Sequence, residues 1–372
     1  MKILVAGDFC PQKRVANTFD NNDFQSVLGE VKPLIEEADY AIVNFECPIT
    51  KGNETPISKY GPNLRCSEKG LEAIRWTGFD CVTLANNHFY DFGEEGVKNT
   101  LETCRSLHID TVGGGLNIKE ASQILYKQVD GHTLAIINCC EHEFSIATDD
   151  TAGSNPLNPI QQYYSIQEAK TQADYILLIV HGGHELWQLP SPRMVETYRF
   201  FIDAGADAVV NHHQHCYSGY EFYKGKPIIY GLGNFCFDVP NNRNSKWNEG
   251  FLLKLFFDTN IGFELFPYSQ CSEKAEVKLL PRDAFSIKLN ELNTAISNPK
   301  ILKTETEKYY ASCIEQSSNL LEPIQNRYYL IAKHRGWLPS LISELRRLKA
   351  ADLICCEAHR DKLTYFFNNN NN

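Results

Sequence analysis

The sequence predicts an α/β fold followed by a helical extension, and three observations carry that expectation. Over the first 235 or so residues, short aliphatic and β-branched runs alternate with stretches of helical period. Polar and titratable residues recur directly after those runs, where strands of an α/β sheet deliver side chains to a cleft. Beyond about residue 282, Leu, Ile, Glu, Lys and Asn at 3–4 spacing replace the strand pattern.

The expected strands are Lys2–Ala6, Tyr40–Asn44, Cys81–Leu84, Thr111–Gly113, Thr133–Asn138, Ile176–Val180, Ala208–Asn211 and Pro227–Tyr230. Between them the pattern predicts helices at Glu94–Leu107, Ile160–Ala173 and Pro192–Ala204. The last of these opens on Ser191-Pro192, a capping residue followed by proline at the first helical position. Asp130-Gly131 between two apolar runs reads as a hairpin turn. Residues 250–270 read as a second hairpin that closes a sheet. The chain is therefore expected to divide into residues 1–280, carrying the chemistry, and a helical segment 281–372 broken at Pro323 and at Gly336–Pro339. The Asn368–Asn372 run is of low complexity.

The 372 residues carry 36 basic and 46 acidic side chains, a net charge of −10. The charge is uneven: residues 1–270 hold 21 basic and 34 acidic groups, residues 271–372 hold 15 and 12. An acidic main body argues against nucleic acid or anionic lipid as partner and suits a cation site. No apolar run is long enough for a membrane span. The first apolar run meets Asp8 too soon for a signal peptide and reads as a buried strand. Thirteen cysteines without C-x-x-C spacing are expected as reduced thiols in a cytoplasmic protein.

Six of the eleven histidines fall in three segments: His88; His181 and His184; His212, His213 and His215. Each segment follows an expected strand, as do Asp8 and the pair Asn44 and Glu46. One such residue is usually a cap or a turn former. Five together form a mixed nitrogen and oxygen donor set, which suits Mn, Fe or Zn rather than Ca or Mg.

In that order, Asp8, Asn44-Phe45-Glu46, Asn86-Asn87-His88 with Asp91, the His181–Glu185 loop and His213-Gln214-His215 resemble the calcineurin-like metallophosphoesterase superfamily. The phrases Leu84–Gly93, Asp203–His215 and Tyr230–Asp238 are similar, more closely, to its CapA branch of capsule and poly-γ-glutamate synthesis proteins. The likeness covers about residues 1–240. It implies a metallophosphoesterase-like sandwich of mixed sheets flanked by helices, two divalent cations and no nucleotide cofactor. By the resemblance, Asp8 and His215 hold the first cation, Glu46 bridges, and Asn87, His181 and His213 hold the second. His88, oriented by Asp91, assists the leaving group.

Where the superfamily carries a histidine two residues after the first aspartate, this chain has Cys10, a further candidate ligand or a small buried residue. Glu185, His184, Asn44, His212, Asn234 and Arg14 are candidates for orienting ligands or meeting substrate. Asn234, in a glycine-rich turn, is alternatively expected to hold a left-handed backbone. The resemblance implies a metal-dependent hydrolase acting on a phosphoester or an anionic cell-surface precursor. Its rivals are synthesis, hydrolysis or export of an anionic polymer such as poly-γ-glutamate, and a non-catalytic metal-binding scaffold. The helical tail is expected to serve self-association.

Overall fold

The computed structural model describes residues 1–319 and 322–355. Cys356, the helical reading through Phe367 and the Asn368–Asn372 run lie outside them. In chain order the strands are β1 (Lys2–Phe9), β2 (Tyr40–Phe45), β3 (Cys81–Thr83), β4 (Asp110–Val112), β5 (Gly114–Gly115), β6 (Leu125–Val129), β7 (His132–Cys140) and β8 (Gly153–Ser154). They continue with β9 (Tyr175–His181), β10 (Ala208–His212), β11 (Tyr220–Tyr223), β12 (Lys226–Ile229), β13 (Asn234–Cys236), β14 (Glu249–Phe256), β15 (Gly262–Gln270) and β16 (Val277–Leu279).

Two mixed sheets dominate. The first is 8-stranded, ordered β16-β15-β14-β1-β2-β3-β4, with β13 also pairing β1; the second is 6-stranded, ordered β11-β12-β10-β9-β7-β6. Parallel pairing runs through β1-β2-β3-β4 and through β7-β9-β10-β12, while β14, β15 and β16 beyond β1, β6 beside β7 and β11 beside β12 pair antiparallel. In the first hairpin Asp130 and Gly131 both take positive φ, 49° and 79°, the geometry a two-residue turn requires. Strands buried on both faces need continuous apolar runs rather than alternation, and β1 and β2 have them. Ile3, Val5 and Ile42 face a core shared with Ile136, Leu178 and Val209 of the second sheet. Leu4, Ala6, Ala41 and Val43 face a second core under the helices Lys13–Asp20, Glu68–Thr77 and Gly93–Ser106. The result is a sheet-on-sheet sandwich with helices outside it, as the resemblance implied.

One irregularity in β1 decides where the chemistry sits. Ala6 pairs Val43 and Asp8 pairs Asn44, so Gly7 is an extra residue with no partner across β2. Ala6 and Val43 face the helices. Without the bulge Asp8 would face them too; the inserted Gly7 turns it with Asn44 toward the second sheet. Asp8 N donates to Gly233 O at 3.2 Å, and a Cβ on Gly7 would lie 1.8 Å from that same oxygen. Only glycine lets β1 and the 231–233 turn approach this closely.

The chain divides into two compact units, Met1–Leu302 and Lys303–Asn372. The first runs past the change of pattern near residue 280, because the helix Ser286–Ser297 packs Leu292 and Ile296 into the intersheet core and Asn293 Oδ1 accepts from Tyr220 N at 2.7 Å. Within the second unit, the Glu322 carboxylate accepts from Ser340 Oγ, Leu341 N and Tyr329 OH and pairs with Lys333. No helix among the described residues is long and apolar enough to cross a membrane. The eleven cysteines with described side chains are free thiols, buried except for Cys313.

Replacing Gly7 with Ala forces β1 away from Gly233. Its cost should match that of forcing extra atoms into a packed interior, about 1–3 kcal/mol. Urea unfolding followed by circular dichroism measures this, and an unshifted midpoint would contradict the close approach.

Candidate metal centre

The carboxyl ends of β1, β2, β9 and β10 and the loop after β3 meet at one edge of the sandwich. Asp8, at the bulge, is buried; its Oδ1 accepts from Asn44 Nδ2 at 2.7 Å and its Oδ2 from His213 N at 3.3 Å. Asn44 is itself held by Thr83 Oγ1, 3.2 Å away. Glu46 follows β2 and is fully buried, yet neither of its carboxylate oxygens has a hydrogen-bond partner. Asn87 and His88 sit on a loop fixed by Asn86, whose Nδ2 donates to Phe45 O and whose Oδ1 accepts from His88 N. His181 ends β9. His213 and His215 flank Gln214 on a turn after β10, with φ of +89° and +53°. Left-handed backbone at two non-glycine residues costs of order 1–3 kcal/mol each and is a common feature of functional sites. Here it aims both imidazoles inward.

Three donor groups result, each with its ligand atoms within 4.8 Å of one another: Glu46, His181 and His213; Asp8, Glu46 and His215; Glu185, His213 and His215. Around His181, Nε2 lies 3.1 Å from Asn87 Oδ1, 3.0 Å from His213 Nδ1 and 3.7 Å from Glu46 Oε1. His215 Nε2 lies 3.6 Å from the same Glu46 oxygen, and His215 Nδ1 lies 3.5 Å from Asp8 Oδ2. All six residues expected as ligands are thus brought together, with Glu46 between two groups.

The electrostatics fit a cation. Burial and the neighbouring Asp8 charge push the Glu46 carboxyl well above its usual range. Burial also opposes charge on Asp8, but the His215 hydrogen bond and the nearby His212 and His181 rings hold its carboxyl below the ordinary value. On His215 burial is outweighed by the Glu46 carboxylate and the contact with Asp8, which push its pKa up to about 10. His181 is driven well down by burial and by His213 beside it. A buried carboxylate without a partner is among the costliest groups a fold can hold. Divalent cations are the partner for which this oxygen and nitrogen donor set is built, so the residues present fit the group.

At the rim, His88 Nδ1 lies 2.7 Å from Asp91 Oδ2. Burial lowers the His88 pKa, and Lys59 adds to that while Asp91 opposes it. Lys59 is the buried third member of this cluster: it pairs with Asp91 and reaches His88 Nδ1 at 3.2 Å, and Leu64 N donates to Asp91 at 2.6 Å. Lys59 comes from a segment without regular structure and left no signal in the sequence. Glu143 was also missed. It accepts from Asn87 Nδ2 at 2.8 Å, which fixes the amide so that Oδ1 faces His181. Its position just past β7 is the strand-end placement that marked the other site residues.

The remaining candidates separate. His212 is buried with its Nδ1 3.5 Å from Asp8 Oδ1. His184 stands outside the three donor groups, beside the Trp187 ring. Cys10 also stands outside them; Gln12 Nε2 donates to its thiol at 3.2 Å, and it is buried in the helix-side core. Arg14 is engaged within the protein: its guanidinium donates to Asp238 at 2.9 and 3.0 Å and to the carbonyls of Cys271, Ser272 and Glu273. Asn234 does not take the left-handed conformation, which belongs to Gly233 at φ +79°. Its Oδ1 lies 2.8 Å from His215 Nδ1 and its Nδ2 donates to His215 O, so it orients that ring.

If Glu143 orients Asn87, Glu143→Ala should weaken Mn²⁺ binding by about 10–100-fold, the usual effect of losing a ligand's orienting partner. Glu143→Gln, whose carbonyl still accepts from Asn87 Nδ2, should retain most of the affinity. Calorimetric titration with Mn²⁺ separates the two.

The profile of the family "Bacterial capsule synthesis protein PGA_cap" matches residues 2–239. The chain is 32% identical over 246 residues to the capsule biosynthesis protein CapA of Bacillus anthracis, covering 64% of this chain and 60% of that one. It is 31% identical over 235 residues to the PGA biosynthesis protein CapA of Bacillus subtilis, covering 62% of each. The alignments thus span about three fifths of the length of these relatives. Among solved structures, a hypothetical protein of Thermus thermophilus aligns over 72% of this chain and 99% of its own, at 16% identity and a TM-score of 0.47. A putative 5′-nucleotidase of Staphylococcus aureus, in complex with α-ketoglutarate, aligns over 75% and 54%, at 17% identity and 0.45. With the profile covering well over half of its length, the chain belongs to the PGA_cap family of bacterial capsule synthesis proteins.

Proposed function

We propose that the chain is a metal-dependent hydrolase that directs water at a phosphoester or a related anionic cell-surface precursor. The observation that carries this reading is Glu46: a buried, unpartnered carboxylate shared by two donor groups with His181, His213, Asp8 and His215. Bound there, divalent cations would polarise a substrate oxygen and make water nucleophilic at neutral pH. The chain's own residues supply the rest. Asp8 and Glu46 give the centre its negative charge, and Asn44 and Asn234 hold Asp8 and His215 in place. His88 stands beside this set with Asp91 behind Nδ1, which leaves Nε2 to handle a proton on the departing oxygen. Lys59 balances the Asp91 charge. His88 and Asp91 are therefore the catalytic pair in this reading.

A second reading follows from family membership: action on or with an anionic polymer, since two of the relatives are described as capsule and PGA biosynthesis proteins. The two readings share the metal centre and differ in the bond attacked.

Protein purified without chelator should carry a transition metal by elemental analysis and should turn over bis(p-nitrophenyl) phosphate. His88→Ala should lower kcat by about 10²–10⁴-fold, the usual contribution of a positioned proton donor. Metal without phosphodiester turnover, together with shortening of poly-γ-glutamate on a gel, would move the assignment to the polymer. Glu46→Gln separates structural from metal effects. The metal-free variant should be no less stable than the parent, because a neutral amide replaces a buried unpartnered acid. The rise in Tm that Mn²⁺ gives the parent should vanish. A retained rise would remove Glu46 from the centre.

A further inference from the structure

Glu185 belongs to the third donor group, its carboxylate oxygen within 4.8 Å of ring nitrogens of both His213 and His215. Within the three groups it is the exposed member; Asp8, Glu46, His181, His213 and His215 are buried. Glu185 lies on the loop that follows β9, where Gly183 takes φ +107° and Leu186 φ +58°. Leu186 N donates to Gln214 O at 2.8 Å, which pins the loop to the same turn that carries the two histidines. The loop backbone is thus fixed beside the centre while the Glu185 side chain reaches it from the solvent side.

We propose that Glu185 is an exchangeable ligand on the outer face of the centre, bound to a cation when no anionic group is present and displaced when one arrives. The inference rests on the metal-centre reading and says how its open face is governed. A hydrolytic metal centre must keep one position that substrate can take. Here the donors on the inner side are buried and fixed, and the outer side is approached by a solvent-exposed carboxylate. An exposed glutamate retains rotamer freedom that the buried ligands have lost. Replacing its carboxylate with an anionic group of the substrate exchanges one negative charge for another, so the centre keeps its charge through the exchange. A neutral ligand such as water could not leave that balance unchanged.

The test uses the full chain, Mn²⁺ and inorganic phosphate as the anion. In Glu185→Gln and Glu185→Ala, Mn²⁺ should bind about ten-fold more weakly for want of a charged ligand. Phosphate should bind the Mn²⁺-loaded variants about ten-fold more tightly than the loaded parent, because its competitor is gone. Calorimetry reads both constants, and circular dichroism melting of the metal-free proteins confirms that all three fold alike. Phosphate binding unchanged or weakened in both variants overturns the exchange, even where the parent binds Mn²⁺ normally. A parent that binds no Mn²⁺ overturns the exchange and the metal-centre reading together.

Discussion

The structure is organised around one buried carboxyl group that makes no hydrogen bond. Glu46 is fully buried between two sheets, and neither of its oxygens meets a donor. Ionised groups in such surroundings are expensive unless paired, and removing a partner from a buried pair costs several kcal/mol. The surrounding structure does not relieve this with an arginine or a lysine. It places His181 and His215 nitrogens 3.7 and 3.6 Å from one Glu46 oxygen, too far for strong hydrogen bonds and well spaced for a cation between them. Lys59, the buried lysine nearest in role, is spent on Asp91 at the rim. The sandwich is therefore stable as a binding scaffold to the degree that something positive completes it.

Completing it requires backbone that regular strands do not provide. The Gly7 bulge rotates Asp8 onto the intersheet face, and the positive φ angles of His213 and His215 bend two nearby side chains into one cleft. Each departure has a cost, and each is held by its neighbours. Gly233 O accepts from Asp8 N, the Asn234 side chain grips both the ring and the carbonyl of His215, and Gln214 Nε2 bonds the carbonyls of Trp187 and Leu189. Strain of this kind persists only where surrounding contacts over-determine it, and here those contacts come from β13, from the loop after β9 and from both cores.

How much of this could be read from residue order follows from the same geometry. Donors placed at strand ends are legible, because the apolar run announces the strand and the polar residue after it stands out; Asp8, Glu46, His181 and the His213–His215 turn are of this kind. Glu143 follows β7 too, but it stands five residues beyond Asn138, where the apolar run reads as ending. Lys59 was not legible: it lies in an irregular segment, and its role exists only because Asp91, thirty-two positions on, folds against it. The contact of Arg14 with Asp238 was not legible either, because the two are 224 positions apart. The first compact unit runs on to Leu302, past the change of pattern near residue 280, for a related reason. The helix Ser286–Ser297 has the same local pattern as the tail, and only its packing through Leu292 and Ile296 assigns it to the first unit.

The charge distribution then bears on how an anionic substrate, monomer or polymer, could approach at all. Residues 1–270 carry a net charge of −13, and Glu143 and Glu185 stand on the open side of the centre. Without cations the cleft sets Asp8 and these two carboxylates against a positively poised His215, and no excess of positive charge draws an anion there. Divalent cations held between Asp8, Glu46 and the histidines supply that charge at the one point where chemistry is proposed, because a bound ion is often the largest local charge in a site. Cation occupancy would then admit the substrate as well as activate the water, and the acidic surroundings would confine anion binding to that point. A broad basic groove would hold a polyanion at many places at once; this surface would hold it at one.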